Sequence, residues 1–237
     1  MSEPANARAW LRSVVSVGGG RGFVIQSRDG QRLVVTAAHC LTRGELYLPP
    51  ALSSSDTQER TYANLLGLLG AEQTIWAECL FVDPVADLAV LGSPDTHELW
   101  EEAAAYEALV GASVPLAPGR LALARERHAL QDGTVIFGGP VAESEAWLLA
   151  RSGQWFSCRV RVTERAIWIS DAAESIRGGM SGSPIVAPNG RVIGVVCTSV
   201  GVVKPGRRNT NDHRENGPNP YLPANLPGWL VRRTRLA

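Results

Sequence analysis

The sequence of 237 residues predicts an all-β fold arranged in two units. Short apolar runs rich in Val, Ile, Phe and Trp recur between Gly, Pro and polar turns, which is the pattern of half-buried strands. One Ala/Glu-rich stretch near position 100 interrupts them and is the natural divider between two β units. The composition, 45% hydrophobic and 19% charged, is that of an ordinary globular chain. The length suits one large domain or two small packed units.

Taken in order, the first group of strands is predicted at Ser13–Val17, Gly22–Gln26, Arg32–Thr36, Trp76–Phe81 and Leu88–Leu91. The stretch His97–Leu109 predicts a helix, with Asp95 or Thr96 available as its N-cap. A second group of strands follows at Arg120–Ala124, Thr134–Phe137, Phe156–Val162, Ala166–Ser170, Ser183–Val186 and Val192–Thr198. Gly201–Pro220 is rich in Gly, Pro and Asn and predicts a long surface loop. Leu226–Leu236 ends in Arg232, Arg233 and Arg235, which suit the negative end of a terminal helix. The expected organisation is therefore a first unit over 12–95, a helical linker over 96–112, a second unit over 113–225 and a closing helix over 226–236.

Several function classes are disfavoured at once. Lys+Arg and Asp+Glu both number 23, so no net field draws the chain to nucleic acid or to an anionic membrane. No apolar run approaches the roughly 20 residues that cross a bilayer. The first residues carry no basic segment followed by an apolar core, so no secretory signal is expected. Cys40, Cys79, Cys158 and Cys197 are far apart and form no C-x-x-C pair, which predicts reduced thiols rather than a zinc site or a disulfide scaffold. The expectation is a cytoplasmic enzyme.

Three local patterns carry chemistry. A serine hydroxyl is a weak nucleophile that needs a base, a group to orient the base, and donors for the oxyanion formed on attack. In Val34-Val35-Thr36-Ala37-Ala38-His39-Cys40 a strand runs into small residues and then a histidine. In Asp83-Pro84-Val85-Ala86-Asp87-Leu88-Ala89-Val90-Leu91 an aspartate opens an apolar run. Asp83 has a plainer role there, since Asp before Pro starts turns. In Gly178-Gly179-Met180-Ser181-Gly182-Ser183-Pro184 glycines on both sides of Ser181 let the backbone turn its amides toward one point. Ser183 is a rival nucleophile only if the register slips. The other histidines, His97, His128 and His213, lie in polar or helical surroundings and are expected in solvent. The seven tryptophans are expected to be packing residues rather than a ligand cage.

The strings Thr-Ala-Ala-His-Cys, Asp-Leu-Ala-Val-Leu and Gly-Met-Ser-Gly-Ser-Pro resemble the motifs of the chymotrypsin/trypsin-like serine proteases, the middle one especially their HtrA-like bacterial branch. Asp87 follows His39 by 48 residues and Ser181 follows Asp87 by 94, and the order His, Asp, Ser is that of chymotrypsin, not of subtilisin or the α/β-hydrolases. The resemblance spans about residues 12–230. It implies two packed six-stranded antiparallel β-barrels, a short inter-barrel helix and a C-terminal helix. It further implies a serine endopeptidase with the triad His39, Asp87 and Ser181, an oxyanion hole from the amides of Gly179 and Ser181, and no cofactor or metal. No PDZ-like extension is expected. Substrate binding falls to Ser175, Ile176, Cys197, Thr198 and Ser199, where Ser175 at the base of the primary pocket predicts an apolar or small P1 residue. A protein or peptide substrate is expected, with a regulatory protein partner as a further idea.

The match departs from the family in three places, one of them Cys197, which lies where many members place a serine. Met180 replaces the aspartate that, in secreted members, pairs with an N-terminus made by cleavage, so activation by that route is not expected. Cys40 matches one half of the family's histidine-loop disulfide, but Arg21–Ile25, where its partner is expected, contains no cysteine. Two other functions remain open on the same residues: a catalytically silent peptide-binding module, and an esterase or acyl-transfer enzyme.

Overall fold

The computed structural model describes residues 4–42, 60–129, 135–198 and 218–230. Six antiparallel strands form the first barrel: β1 Val14–Val17, β2 Gly20–Gln26, β3 Arg32–Thr36, β4 Thr61–Leu68, β5 Ile75–Asp83 and β6 Leu88–Gly92. They close in the order β1-β2-β3-β6-β5-β4, with β4 returning to β1. Val17, Phe23, Val34, Leu66 and Leu91 are fully buried inside, where β-branched and aromatic side chains fill the pleated surface. The register decides the chemistry. Thr36 of β3 lies opposite Ala89 of β6, so the residues just after β3 and just before β6 meet at one rim.

The second barrel uses β7 Ala124–Ala129, β8 Val135–Leu149, β9 Trp155–Val162, β10 Ala166–Ser170, β11 Pro184–Val186, β12 Val192–Val195 and β13 Asn219–Pro220. Six of these run in the order β12-β11-β8-β9-β10-β13, and a bridge between Gly194 and Tyr221 nearly closes the ring. The seventh, β7, pairs with β8 off this path. Met180, Leu148, Val162, Ile167 and Ile185 fill the interior.

Among the described residues three α-helices accompany the barrels: α1 Ala7–Leu11, α2 Trp100–Ala112 and α3 Leu222–Asn225. The residue before α2 is Leu99, with no side-chain cap; Asp95 instead accepts the amide of His97 at 2.8 Å in the preceding turn. Buried Ala103, Tyr106 and Val110 face the first barrel, and the Tyr106 hydroxyl lies 3.1 Å from the carbonyls of both Arg32 and Leu91. Arg32 holds the other end of α2, donating from Nη1 to the carbonyls of Val110 and Gly111 at 2.7 and 2.6 Å. Trp155 of β9 donates its indole N–H to the Ala7 carbonyl at 3.1 Å and meets Trp10 edge-on with ring centroids 5.3 Å apart. So α1 packs on the second barrel while the strand it feeds belongs to the first.

The structure adjusts several predicted elements. Strand β4 and the length of β8 were not foreseen, and residues 120–123 precede β7 rather than forming a strand. Strand β12 stops at Val195 instead of Thr198. Of the predicted surface loop, 201–217 lie outside the described residues, while Asn219 and Pro220 pair with β10. Of the predicted terminal helix, 231–236 lie outside the described residues. Leu226 is already extended (ψ 139), because Pro227 cannot follow in a helix, and residues 228–230 form a turn. Trp100 and Trp229 are 66% and 51% exposed and depart from the packing role expected of them. No helix among the described residues is long and apolar enough to cross a membrane.

Candidate active site

The site begins with the rim where β3 and β6 meet. A 3-10 turn over Ala38–Thr42 follows β3 and carries His39. Asp87, immediately before β6, takes a left-handed backbone (φ 55), which an aspartate tolerates better than most residues. Its carboxylate grips His39 twice. Oδ1 accepts the His39 amide at 2.9 Å, and Oδ2 lies 2.6 Å from ring Nδ1. Its backbone carbonyl accepts the Ala38 amide at 3.1 Å and the Cys197 thiol at 3.2 Å. The bond to Asp87, with a second from Cys40, raises the His39 pKa above its ordinary 6.5. Asp83 does what a turn residue does: its Oδ1 accepts the amides of Val85 and Ala86, both at 3.0 Å.

Ser181 reaches this rim from the second barrel. Its carbonyl accepts the Arg21 amide at 2.7 Å. A Cβ on Gly20 would lie 2.5 Å from that carbonyl and 2.7 Å from Cys40 Sγ, so the backbone of Ser181 and the residue beside His39 crowd the same point. Only a glycine fits there. The residue facing Cys40 is therefore Gly20, one position before the segment expected to face it, and all four cysteines are free. Gly182, with φ 81, clasps the same seam: its amide donates to Val196 at 2.7 Å, and a Cβ would fall 1.7 Å from the Arg21 carbonyl. Ser183 is fully buried, which removes it as a rival nucleophile, while Ser181 is half-buried and lines a cleft.

The turn before Ser181 is organised around Met180. That side chain is buried in the core of the second barrel, and its thioether accepts the Arg177 amide at 3.5 Å. The Met180 amide donates back to the Arg177 carbonyl at 3.1 Å. With φ 85, Gly179 turns the chain between them. Among the described residues neither the Gly179 nor the Ser181 amide has an acceptor.

The cleft beside Ser181 has buried Ile176 and Val196 as apolar walls, with Arg177, Gly178, Cys197 and Thr198 around them. Ser175 is half-buried and does not line it, and Ser199 lies outside the described residues. Burial pushes the Cys197 thiol well above its usual pKa, with Asp87 adding to the effect, so Cys197 acts as a neutral donor. Sequence reasoning missed Asn219. Its Oδ1 accepts the Cys197 amide at 2.7 Å and the Thr198 amide at 3.3 Å, and its Nδ2 donates to the Ile167 carbonyl at 3.3 Å. It missed Arg21 too, although a lone charge in an apolar strand was a visible signal.

Solved structures of the Rv3671c protease are similar to this chain. An inactive mutant from M. tuberculosis H37Rv shares 16% identity over 94% of this chain and 91% of that one, with a TM-score of 0.46. Its inactive form shares 18% over 94% and 93%, with a TM-score of 0.40. The active form from M. tuberculosis shares 19% over 94% and 85%, with a TM-score of 0.41. No curated protein matches the chain. The sequence model of the trypsin-like peptidase domain matches residues 20–195, across both barrels and all three motifs, and the chain belongs to that family.

Proposed function

We propose that the chain is a serine endopeptidase in which His39, Asp87 and Ser181 form the catalytic triad. The observation that carries this is the two-point grip of Asp87 on His39, at 2.9 Å to the amide and 2.6 Å to Nδ1. With its proton on Nδ1, the imidazole keeps Nε2 as the basic nitrogen. Ser181 Oγ attacks the scissile carbonyl and gives its proton to Nε2. The proton then passes to the leaving amine as the C–N bond breaks, leaving an acyl-enzyme. Water adds by the same route and restores the serine. The amides of Gly179 and Ser181 are the oxyanion donors, each contributing about 3 kcal/mol to the transition state.

Ile176 and Val196 favour an apolar or small P1 side chain in the cleft, and the Cys197 carbonyl is the acceptor for the substrate's backbone. The four free thiols suit a reducing compartment such as the cytoplasm.

A fluorophosphonate probe is expected to label the wild type and not Ser181→Ala, and new peptide N-termini are expected in a proteome treated with the wild type alone. Labelling of Ser181→Ala at wild-type level would overturn the assignment. Turnover of small esters without cleavage of any peptide would move the reading to an esterase.

A further inference from the structure

Arg21 of β2 makes three contacts, two of them onto the other barrel. Its backbone amide donates to the Ser181 carbonyl at 2.7 Å. Its backbone carbonyl accepts the Thr36 hydroxyl at 2.6 Å, three residues before His39. Its guanidinium donates from Nη1 to the Leu149 carbonyl at 2.9 Å, at the end of β8. One residue thus joins the strand that leads to the histidine, the turn that carries the serine, and the end of a second-barrel strand.

The two backbone bonds need no arginine, but the third does. Arg21 is only 7% exposed, and among the described residues its guanidinium has no carboxylate partner. Burial lowers its pKa from the usual value, and a buried cation answered by a carbonyl alone is held at a cost. An apolar side chain of similar length would fill the same space without that cost. What the arginine adds is a second tie from β2 to the second barrel. The amide bond alone would leave this part of β2 free to pivot about the Ser181 carbonyl, and the bond to Leu149 removes that freedom. The seam has no slack to absorb a pivot, because a Cβ on Gly182 would fall 1.7 Å from the Arg21 carbonyl.

The two barrels divide the work at this seam. The described residues that line the cleft, 176–178, 181 and 196–198, all come from the second barrel's half of the chain. His39 and Asp87 come from the rim of the first. A looser seam therefore spares the cleft and misaligns the base against the nucleophile. Resting on the peptidase reading above, we propose that Arg21 is a positioning residue whose side-chain bond to Leu149 fixes Ser181 against His39, so that chemistry depends on it and substrate binding does not.

The test compares cleavage of one internally quenched peptide by the wild type, Arg21→Met and Arg21→Lys, with the Tm of each. Arg21→Met keeps an apolar stem and has no donor. Its kcat is expected to fall about tenfold, since a small misplacement of reacting groups costs that much, while KM and Tm stay near those of the wild type. Arg21→Lys supplies a donor for the same carbonyl and should recover most of the lost kcat. Unchanged kcat in Arg21→Met, a rise in KM that matches the fall in kcat, or Arg21→Lys as slow as Arg21→Met overturns the assignment. Where Arg21→Met does not fold, Arg21→Gln, whose shorter side chain stops before Leu149, takes its place. Failure of both to fold makes the guanidinium a support of the fold and overturns the assignment as well.

Amide hydrogen exchange separates this from the peptidase reading, because it needs no turnover. In Arg21→Met the amide of residue 21, bonded to Ser181 across the seam, should exchange about tenfold faster. The amide of Gly182, bonded to Val196 within the second barrel at 2.7 Å, should exchange as in the wild type. Equal change at both amides, or at neither, overturns the tie. A wild type that cleaves no peptide and takes no fluorophosphonate sinks the peptidase reading, and the pair of amides then decides alone whether Arg21 holds the seam.

Discussion

The side-chain oxygen of Asn219 accepts the backbone N–H of Cys197 at 2.7 Å. This bond occupies the inner edge of the segment after β12, which continues the wall of the cleft. Asn219 is itself 1% exposed and is fixed from behind by the Ile167 carbonyl. Buried amides with no acceptor are costly, so the bond sets which way this segment turns its remaining carbonyls.

Replacing that residue therefore bears on substrate binding as well as stability. Asn219→Leu should lower unfolding free energy by about 1–3 kcal/mol, because the Cys197 amide stays buried without a partner. In the variant that remains folded, KM for a peptide should rise more than kcat falls. A pure loss of folded fraction, with KM unchanged, would show that Asn219 only supports the fold.

The grip of Asp87 on His39 predicts a pH signature. The proposed mechanism needs neutral His39, so kcat/KM should climb with pH and reach half its plateau above 6.5, since the bond to Asp87 raises the ring's pKa. Asp87→Asn should lower the rate about 10⁴-fold and move the midpoint down toward 6.5. The same shift gives a stability term of definite sign. Folding favours protonated His39, so the term is present in full below pH 6.5 and is lost as pH rises to about 10. The gap in urea midpoint between wild type and Asp87→Asn should close across that window.

Met180 invites a substitution by aspartate. Met180→Asp places a carboxylate at a site 1% exposed, inside the apolar core of the second barrel. The expected cost is about 3–5 kcal/mol, with loss of probe labelling at Ser181. Met180→Leu keeps the volume but loses the thioether acceptor of the Arg177 amide. It should retain the fold and lower kcat. Full activity in Met180→Asp would mean that something other than apolar anchoring shapes this turn.

The three motifs were legible because each is a local string whose residue types answer a local need. The glycines around Ser181 meet a positive φ at Gly179 and Gly182, and the small residues before His39 lead into a tight turn. What brings the motifs together was not local. His39 meets Asp87 through the pairing of β3 with β6, and the Ser181 backbone is held beside Cys40 through contacts with Gly20 and Arg21. Strand β4 was hidden by a left-handed Asn64 and by Gly67, which break its alternation. The role of Asn219 arises from bonds to residues 21 and 22 positions earlier, and nothing in an Asn-Pro dipeptide announces it.

The docking of α1 on the second barrel also has a consequence for how the chain is made. Ala7 and Trp10 pack against Trp155 and the Gly190 turn, which are synthesised far later. The helix that leaves the ribosome early must therefore wait, with an indole exposed, until Trp155 and then Gly190 have followed it. Contacts of such long sequence separation slow folding and leave intermediates open to aggregation. They also couple the two barrels, so that neither half is expected to complete its maturation alone.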